Sequence, residues 1–283
     1  IRSPYGIRQS IPESDFATYG SMGCHVVLQD IRGTFNSEGV GTTIMFIHDA
    51  FDGNDTVNWI RKQTWCNGKI VGSGISAMAI AQYLLAGTAP IGLMAQTLYV
   101  GTPDVIAEAI LEGAVHEHLI DYWSKTTCPS SWRMQQNYLY DSLNDVTSQD
   151  TEPIQSVELL SGPNKYENIN FAALHVAGWY DIFLGGSLRG YKGYNQLGGD
   201  LAKGHQKLII GPWCHGMWGS RTQGELYYPS TAVGSSLISK WEELLLDEVI
   251  FENEHPEQWE EPVAYYLMGD VDDPKVEIGR AHV

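Results

Sequence analysis

Basic residues are scarce in this chain: 17 Lys and Arg face 34 Asp and Glu across 283 residues, a net charge of −17. Nucleic-acid affinity comes mainly from neutralising phosphates with cationic side chains, and polybasic segments draw proteins to anionic lipid surfaces. No basic block offsets the excess of acid, so neither nucleic acid nor a membrane is expected as a partner. Cysteine is sparse as well. Cys24, Cys66, Cys128 and Cys214 lie far apart and form no C-x-x-C, which leaves room for one bridge but not for a disulfide framework. Long apolar runs are missing. The longest, residues 75–86, is interrupted by Ser76 and Gln82 and falls short of the roughly 20 residues that cross a bilayer. Repeats and low-complexity tracts are absent. The chain opens at Ile1 rather than Met, and residues 277–283 read as the translation of a sequencing adapter, which is set aside from fold reasoning. A piece of a longer protein, open at both ends, is therefore expected, and the compartment is left open.

What is present is a globular composition, 43% hydrophobic and 18% charged, in a chain long enough to bury a core without staples. Short β-rich runs alternate with helical patterns. Residues 25–29 read as a buried strand, residues 55–63 as a helix closed by Asn67-Gly68, residues 69–74 as a strand and residues 77–86 as an Ala- and Leu-rich helix. Residues 91–95 read as one more short strand. Further on, strands are expected at 171–176 and 207–210, and helices at 184–191 and 237–250, the last with Leu237, Trp241, Leu244, Leu245 and Val249 at helical spacing. Strands alternating with helices predict an α/β fold with a mainly parallel sheet. Residues 96–168 break the rhythm and read as a helical cap inserted into a core of residues 1–95 and 169–254. A fresh strand from Val263, after a Pro- and Glu-rich stretch, reads as the start of a truncated β domain over residues 255–276.

The sharpest local signal is Gly72-Ser73-Gly74-Ile75-Ser76-Ala77-Met78-Ala79, placed between a strand and a helix. A nucleophile elbow thrusts its Ser from such a turn and needs small residues around it. Gly74 fits; Met78 departs from G-x-S-x-G, with Ala79 small one place later. A serine nucleophile needs a base, and the base an orienting acid. Two later strands run into Gly178-Trp179-Tyr180-Asp181 and Gly211-Pro212-Trp213-Cys214-His215, and residues beyond parallel strands' C-terminal ends share one edge. Ser76, Asp181, His215 is the chain order of α/β-hydrolase triads. Separately, Asp181 could cap a helix and His215 could be a loop histidine; together they point to catalysis. His116-Glu117-His118 is not H-E-x-x-H, and on a helix its imidazoles would diverge by about 200°, so no zinc site is expected there.

On these residues the sequence resembles the cocaine-esterase/X-Pro dipeptidyl-peptidase-like family of serine hydrolases. Ser3-Pro4-Tyr5-Gly6, Asp30-Ile31-Arg32-Gly33 with Ser37-Glu38-Gly39, Asp52-Gly53, Trp59, Gln63-Thr64-Trp65 and Asn67-Gly68 extend the likeness over most of the chain. The resemblance implies an α/β-hydrolase with a cap and a C-terminal jelly-roll domain nearly all missing here. It implies Ser76 as nucleophile, His215 as general base and acid, and Asp181 as the residue orienting it. It also implies an oxyanion hole of the Tyr5 hydroxyl and the Ala77 N–H, and no metal or organic cofactor. Family members usually carry an aromatic where this chain has Ala77.

The expected substrate is a small molecule or short peptide, cleaved at an ester or amide through an acyl-enzyme. The α-amino-ester hydrolases of the family carry acidic residues just after the triad acid, where this chain has Phe183 and Leu184. That favours an acyl esterase. The alternatives are X-Pro dipeptidyl-peptidase activity and a non-catalytic scaffold on the same fold.

Overall fold

The computed structural model describes residues 1–7, 14–39, 46, 48–105, 108, 122–127, 165–253, 261–268 and 278–281. In chain order the elements are β1 (Arg2–Ser3), α1 (Ser14–Ser21), β2 (Gln29–Asp30), α2 (Asp49–Arg61), β3 (Ile70–Ile75), α3 (Ala77–Ala86) and β4 (Leu93–Tyr99). There follow the short α4 (Ser124–Thr127), β5 (Ala172–Gly178), α5 (Leu184–Leu197), β6 (Gln206–Gly211), the small hairpin β7 (Thr222–Gln223) and β8 (Leu226–Tyr227), α6 (Ser235–Phe251), β9 (Val263–Tyr266) and β10 (Ile278–Ala281). One sheet has the order β10-β9-β6-β5-β4-β3, parallel throughout except for β10.

A parallel sheet needs cover on both faces, and the strands supply two apolar faces by alternation. Leu98, Ala173, Val57, Tyr83 and Tyr194 share one core, which draws on α2, α3 and α5. Tyr99, Leu174, Val176, Ile209, Trp241 and Leu245 share the other, under α6. With helices on both faces of a mainly parallel sheet, the fold is α/β, as the alternating pattern predicts.

Several boundaries differ from expectation. α2 starts at Asp49, six residues before the predicted 55; Asp49 and Asp52 lie in its first turn, where carboxylates meet the positive end of the helix dipole. Residues 25–28 carry no ladder, and only Gln29–Asp30 pairs, with the two-residue β1. β4 does not end at residue 95 but runs to Tyr99, so residues 96–99 belong to the sheet and not to the expected cap. Gln96 and Thr97 are polar yet buried, because the strand's neighbours satisfy them. The Gln96 amide donates to the Gln82 carbonyl at 2.8 Å and accepts from the Tyr194 hydroxyl at 2.9 Å, while Thr97 donates to Ser73 at 2.8 Å. Most of the rest of the expected cap, including His116-Glu117-His118 and Cys128, lies outside the described residues.

The strand from Val263 is also placed differently. It does not open a separate β domain; it extends the same sheet, with Leu208, Ile209 and Ile210 of β6 paired in parallel to Val263, Ala264 and Tyr265. Ala264 is buried among Ile209, Trp213 and Trp241, so β6–α6–β9 is a further β-α-β unit. β10, within the segment set aside at residues 277–283, pairs antiparallel with β9.

Beneath the sheet, His175 is fully buried between Tyr83, Tyr191 and Tyr194. Its Nδ1 is 3.0 Å from the Tyr83 hydroxyl. Burial lowers its pKa from 6.5 to about 3. The unfolded chain binds the proton near 6.5 and the folded chain only near 3, so this group costs nothing above that window. Stability falls as the pH drops through it, at up to about 1.4 kcal/mol per pH unit. His175→Gln should therefore flatten the acid side of the stability curve. Urea unfolding of both proteins through that window checks this; parallel losses would show that His175 is not the group responsible.

Candidate active site

Three strands of the sheet end on one edge, and each delivers one side chain. Ser76 follows β3 and precedes α3 with φ 57° and ψ −122°, a region that a residue with a Cβ occupies only under strain. The turn is possible because its neighbours are small. A Cβ on Gly74 would lie 2.4 Å from the Met78 backbone, and one on Gly101 would lie 2.6 Å from the Ala79 methyl. Serine at a helix N-terminus ordinarily caps it. Ser76 makes no side-chain cap bond, and its hydroxyl turns instead toward His215.

β5 ends at Gly178, where a Cβ would meet the Trp213 carbonyl at 2.2 Å. That close approach lets the Asp and His loops continue the ladder: Trp179 N–H donates to the Gly211 carbonyl and Tyr180 N–H to the Trp213 carbonyl, at 2.8 and 3.1 Å. Asp181 is buried. One oxygen accepts from the Phe183 N–H at 2.7 Å and the other lies 2.7 Å from His215 Nδ1. So Asp181 holds its own turn and the imidazole at once.

His215 Nε2 is 2.8 Å from Ser76 Oγ. An ionised carboxylate only accepts, which places the ring proton on Nδ1 and leaves Nε2 to accept the serine proton. The ring lies edge-on to Phe183 at 5.7 Å and its side chain is 37% exposed, open to an incoming substrate. Its loop is clamped by Gln223, which accepts from the Cys214 N–H at 2.7 Å and donates to the Met217 and Ser220 carbonyls. No local pattern in the sequence marks Gln223 for that role.

Tyr5 reaches the same place from the other end of the chain. Asp30 Oδ1 accepts from the Ile7 N–H at 2.8 Å, and the Asp30 carbonyl accepts from the Ser37 hydroxyl. The Asp30-Ile31-Arg32-Gly33 and Ser37-Glu38-Gly39 motifs thus anchor the Tyr5 loop. The Tyr5 hydroxyl hydrogen-bonds with Ser76 and accepts from the Trp123 indole N–H at 3.1 Å. Burial raises its pKa above the ordinary phenol value, outweighing both hydrogen bonds, so it stays a neutral donor. Ala77 opens α3, and a first-turn N–H has no acceptor within its helix. All five residues singled out in the sequence meet here; Trp123 was not among them. A separate cavity of about 300 Å³ between residues 23–27, α2 and β3 is lined by none of Ser76, Asp181 and His215.

A parallel sheet with helices on both faces, and a serine, a histidine and an aspartate at its C-terminal edge, define an α/β-hydrolase. The chain belongs to the X-Pro dipeptidyl-peptidase (S15) family, whose profile matches residues 1–217. Cocaine esterase of Rhodococcus sp. (strain MB1 Bresler) is 26% identical over an alignment covering 76% of this chain and 43% of that protein. Among solved structures, a CocE/NonD family hydrolase from Staphylococcus aureus matches with a TM-score of 0.67 at 19% identity, covering 99% of this chain and 50% of its own. An α-amino acid ester hydrolase matches with a TM-score of 0.68 at 17% identity, covering 95% and 52%. The chain thus spans about half the length of these relatives. They are hydrolases of a serine hydrolase family.

Proposed function

We propose that this chain carries the catalytic centre of an acyl esterase that works through an acyl-enzyme. The observation behind this reading is the unbroken relay from Ser76 Oγ to His215 Nε2 at 2.8 Å and from His215 Nδ1 to Asp181 Oδ2 at 2.7 Å. Ser76 Oγ attacks the ester carbonyl while His215 takes its proton, and Asp181 stabilises the imidazolium that forms. The carbonyl oxygen becomes an oxyanion, facing the Tyr5 hydroxyl and the Ala77 N–H. Collapse expels the alkoxide, which leaves with the proton from His215. Water, deprotonated by the same imidazole, then attacks the acyl-enzyme and releases the acid.

An uncharged acyl group is favoured by what surrounds Asp181. Phe183 and Leu184 supply no negative charge for a substrate ammonium. Glu108, whose carboxylate packs against Gly185, is already ion-paired with Arg189. A serine-reactive phosphonate probe tests the reading. It should modify the protein once, on the peptide that contains Ser76, and abolish turnover of an activated ester. A protein that hydrolyses the ester but takes no label at Ser76, or neither labels nor turns over, would refute it.

A further inference from the structure

We infer that Trp123 is a positioning residue of the oxyanion hole: its indole N–H, by donating to the Tyr5 oxygen, aims the Tyr5 proton at the space above Ser76. This rests on the reading of Ser76 as nucleophile and Tyr5 as oxyanion donor.

The direction follows from the hydrogen-bonding capacity of each group. An indole nitrogen can only donate and an ionised carboxylate can only accept. Trp123 Nε1 lies 3.1 Å from the Tyr5 oxygen, so that oxygen is the acceptor and its own proton must point elsewhere. Ser76 is one further hydrogen-bonding neighbour of that hydroxyl. At the far end, Asp181 forces the proton of His215 onto Nδ1, so Ser76 donates to Nε2 and its oxygen is left to accept from Tyr5. Two one-way groups, Trp123 and Asp181, thereby favour one direction for the donors between them. When Ser76 attacks, the Tyr5 proton already faces the region where the oxyanion forms. Hydrogen bonds in such a chain polarise one another, so donation by the indole also makes Tyr5 a stronger donor.

The indole is held to this task from its other side. Trp123 stacks on Phe46 at 6.1 Å and 17°, Phe46 is buried, and the Tyr5 ring meets Trp123 edge-on at 6.3 Å and 78°. Packing alone would account for the rings. It does not account for the nitrogen facing the phenol oxygen.

The test removes the N–H by Trp123→Phe, which also gives up the fused ring system, and by replacing the Trp123 indole with isosteric benzothiophene through nonsense suppression, which keeps its shape. With an activated ester, both changes should lower kcat about tenfold and move KM less than about twofold. In a Tyr5→Phe background, neither should slow turnover by more than about twofold, because the hydroxyl they orient is gone. Full kcat in the benzothiophene protein, or losses that multiply with Tyr5→Phe, would overturn the inference alone. A Tyr5→Phe enzyme with unchanged kcat would overturn it through its premise, and a Ser76→Ala protein that still turns over would overturn the functional reading beneath both.

Discussion

Replacing Ser76 with alanine is expected to lower kcat for an activated ester by about six orders of magnitude, the loss found when a nucleophile is removed from a triad acting as a unit. The fold should survive. Ser76 is strained at φ 57°, but alanine carries the same Cβ, so the exchange neither adds nor relieves that strain. The serine hydroxyl makes no cap bond to α3, so no helix-stabilising contact is lost. A melting temperature close to that of the parent, alongside lost turnover, is the expected pair of results. His215→Ala should cost a similar factor, and the double variant little more, because a base without its nucleophile has nothing to activate. Turnover within about tenfold of the parent in Ser76→Ala would remove this serine from the chemistry.

Tyr5→Phe is expected to reduce kcat by about 10²–10³, the cost of removing one oxyanion donor, while KM changes little. The ground-state carbonyl asks less of the hydroxyl than the oxyanion does, so the lost interaction belongs to the transition state. Phenylalanine keeps the ring, and with it the edge-on contact to Trp123. The Ile7 N–H to Asp30 and Tyr5 N–H to Ser3 bonds that shape the loop are main-chain donations and remain. Steady-state kinetics decides between a donor and a packed aromatic, since a packing role predicts kcat within a few-fold of the parent.

Some of this site can be read one residue after another. A strand that becomes a helix within a single residue forces steric economy on its neighbours, which is why Gly74, Ala77 and Ala79 surround Ser76 and why the elbow is visible in the sequence. Asp181 and His215 are legible for a related reason. Each lies at the end of an apolar strand and a glycine, and parallel strands bring such ends to one edge whatever lies between them. The expected helix over residues 77–86 coincides with α3 because Ala, Leu and Met favour it locally.

What the sequence left open depends on partners far away in the chain. Gln96 and Thr97 look like the start of a cap until Gln82, Tyr194 and Ser73 satisfy them within the strand, which only packing can arrange. The segment from Val263 looks like a new domain until its backbone pairs with β6 and Ala264 reaches the core under α6. Gln223 and Trp123 carry no local mark at all. The Trp123–Tyr5 bond joins residues 118 positions apart and the His215–Ser76 bond residues 139 apart. Composition, periodicity and steric need act over a few residues, so they pointed to most of the elements and to the candidate reacting groups. Hydrogen-bond direction and burial depend on groups brought together from the whole chain, so the tertiary structure alone decided which residues hold those groups in place.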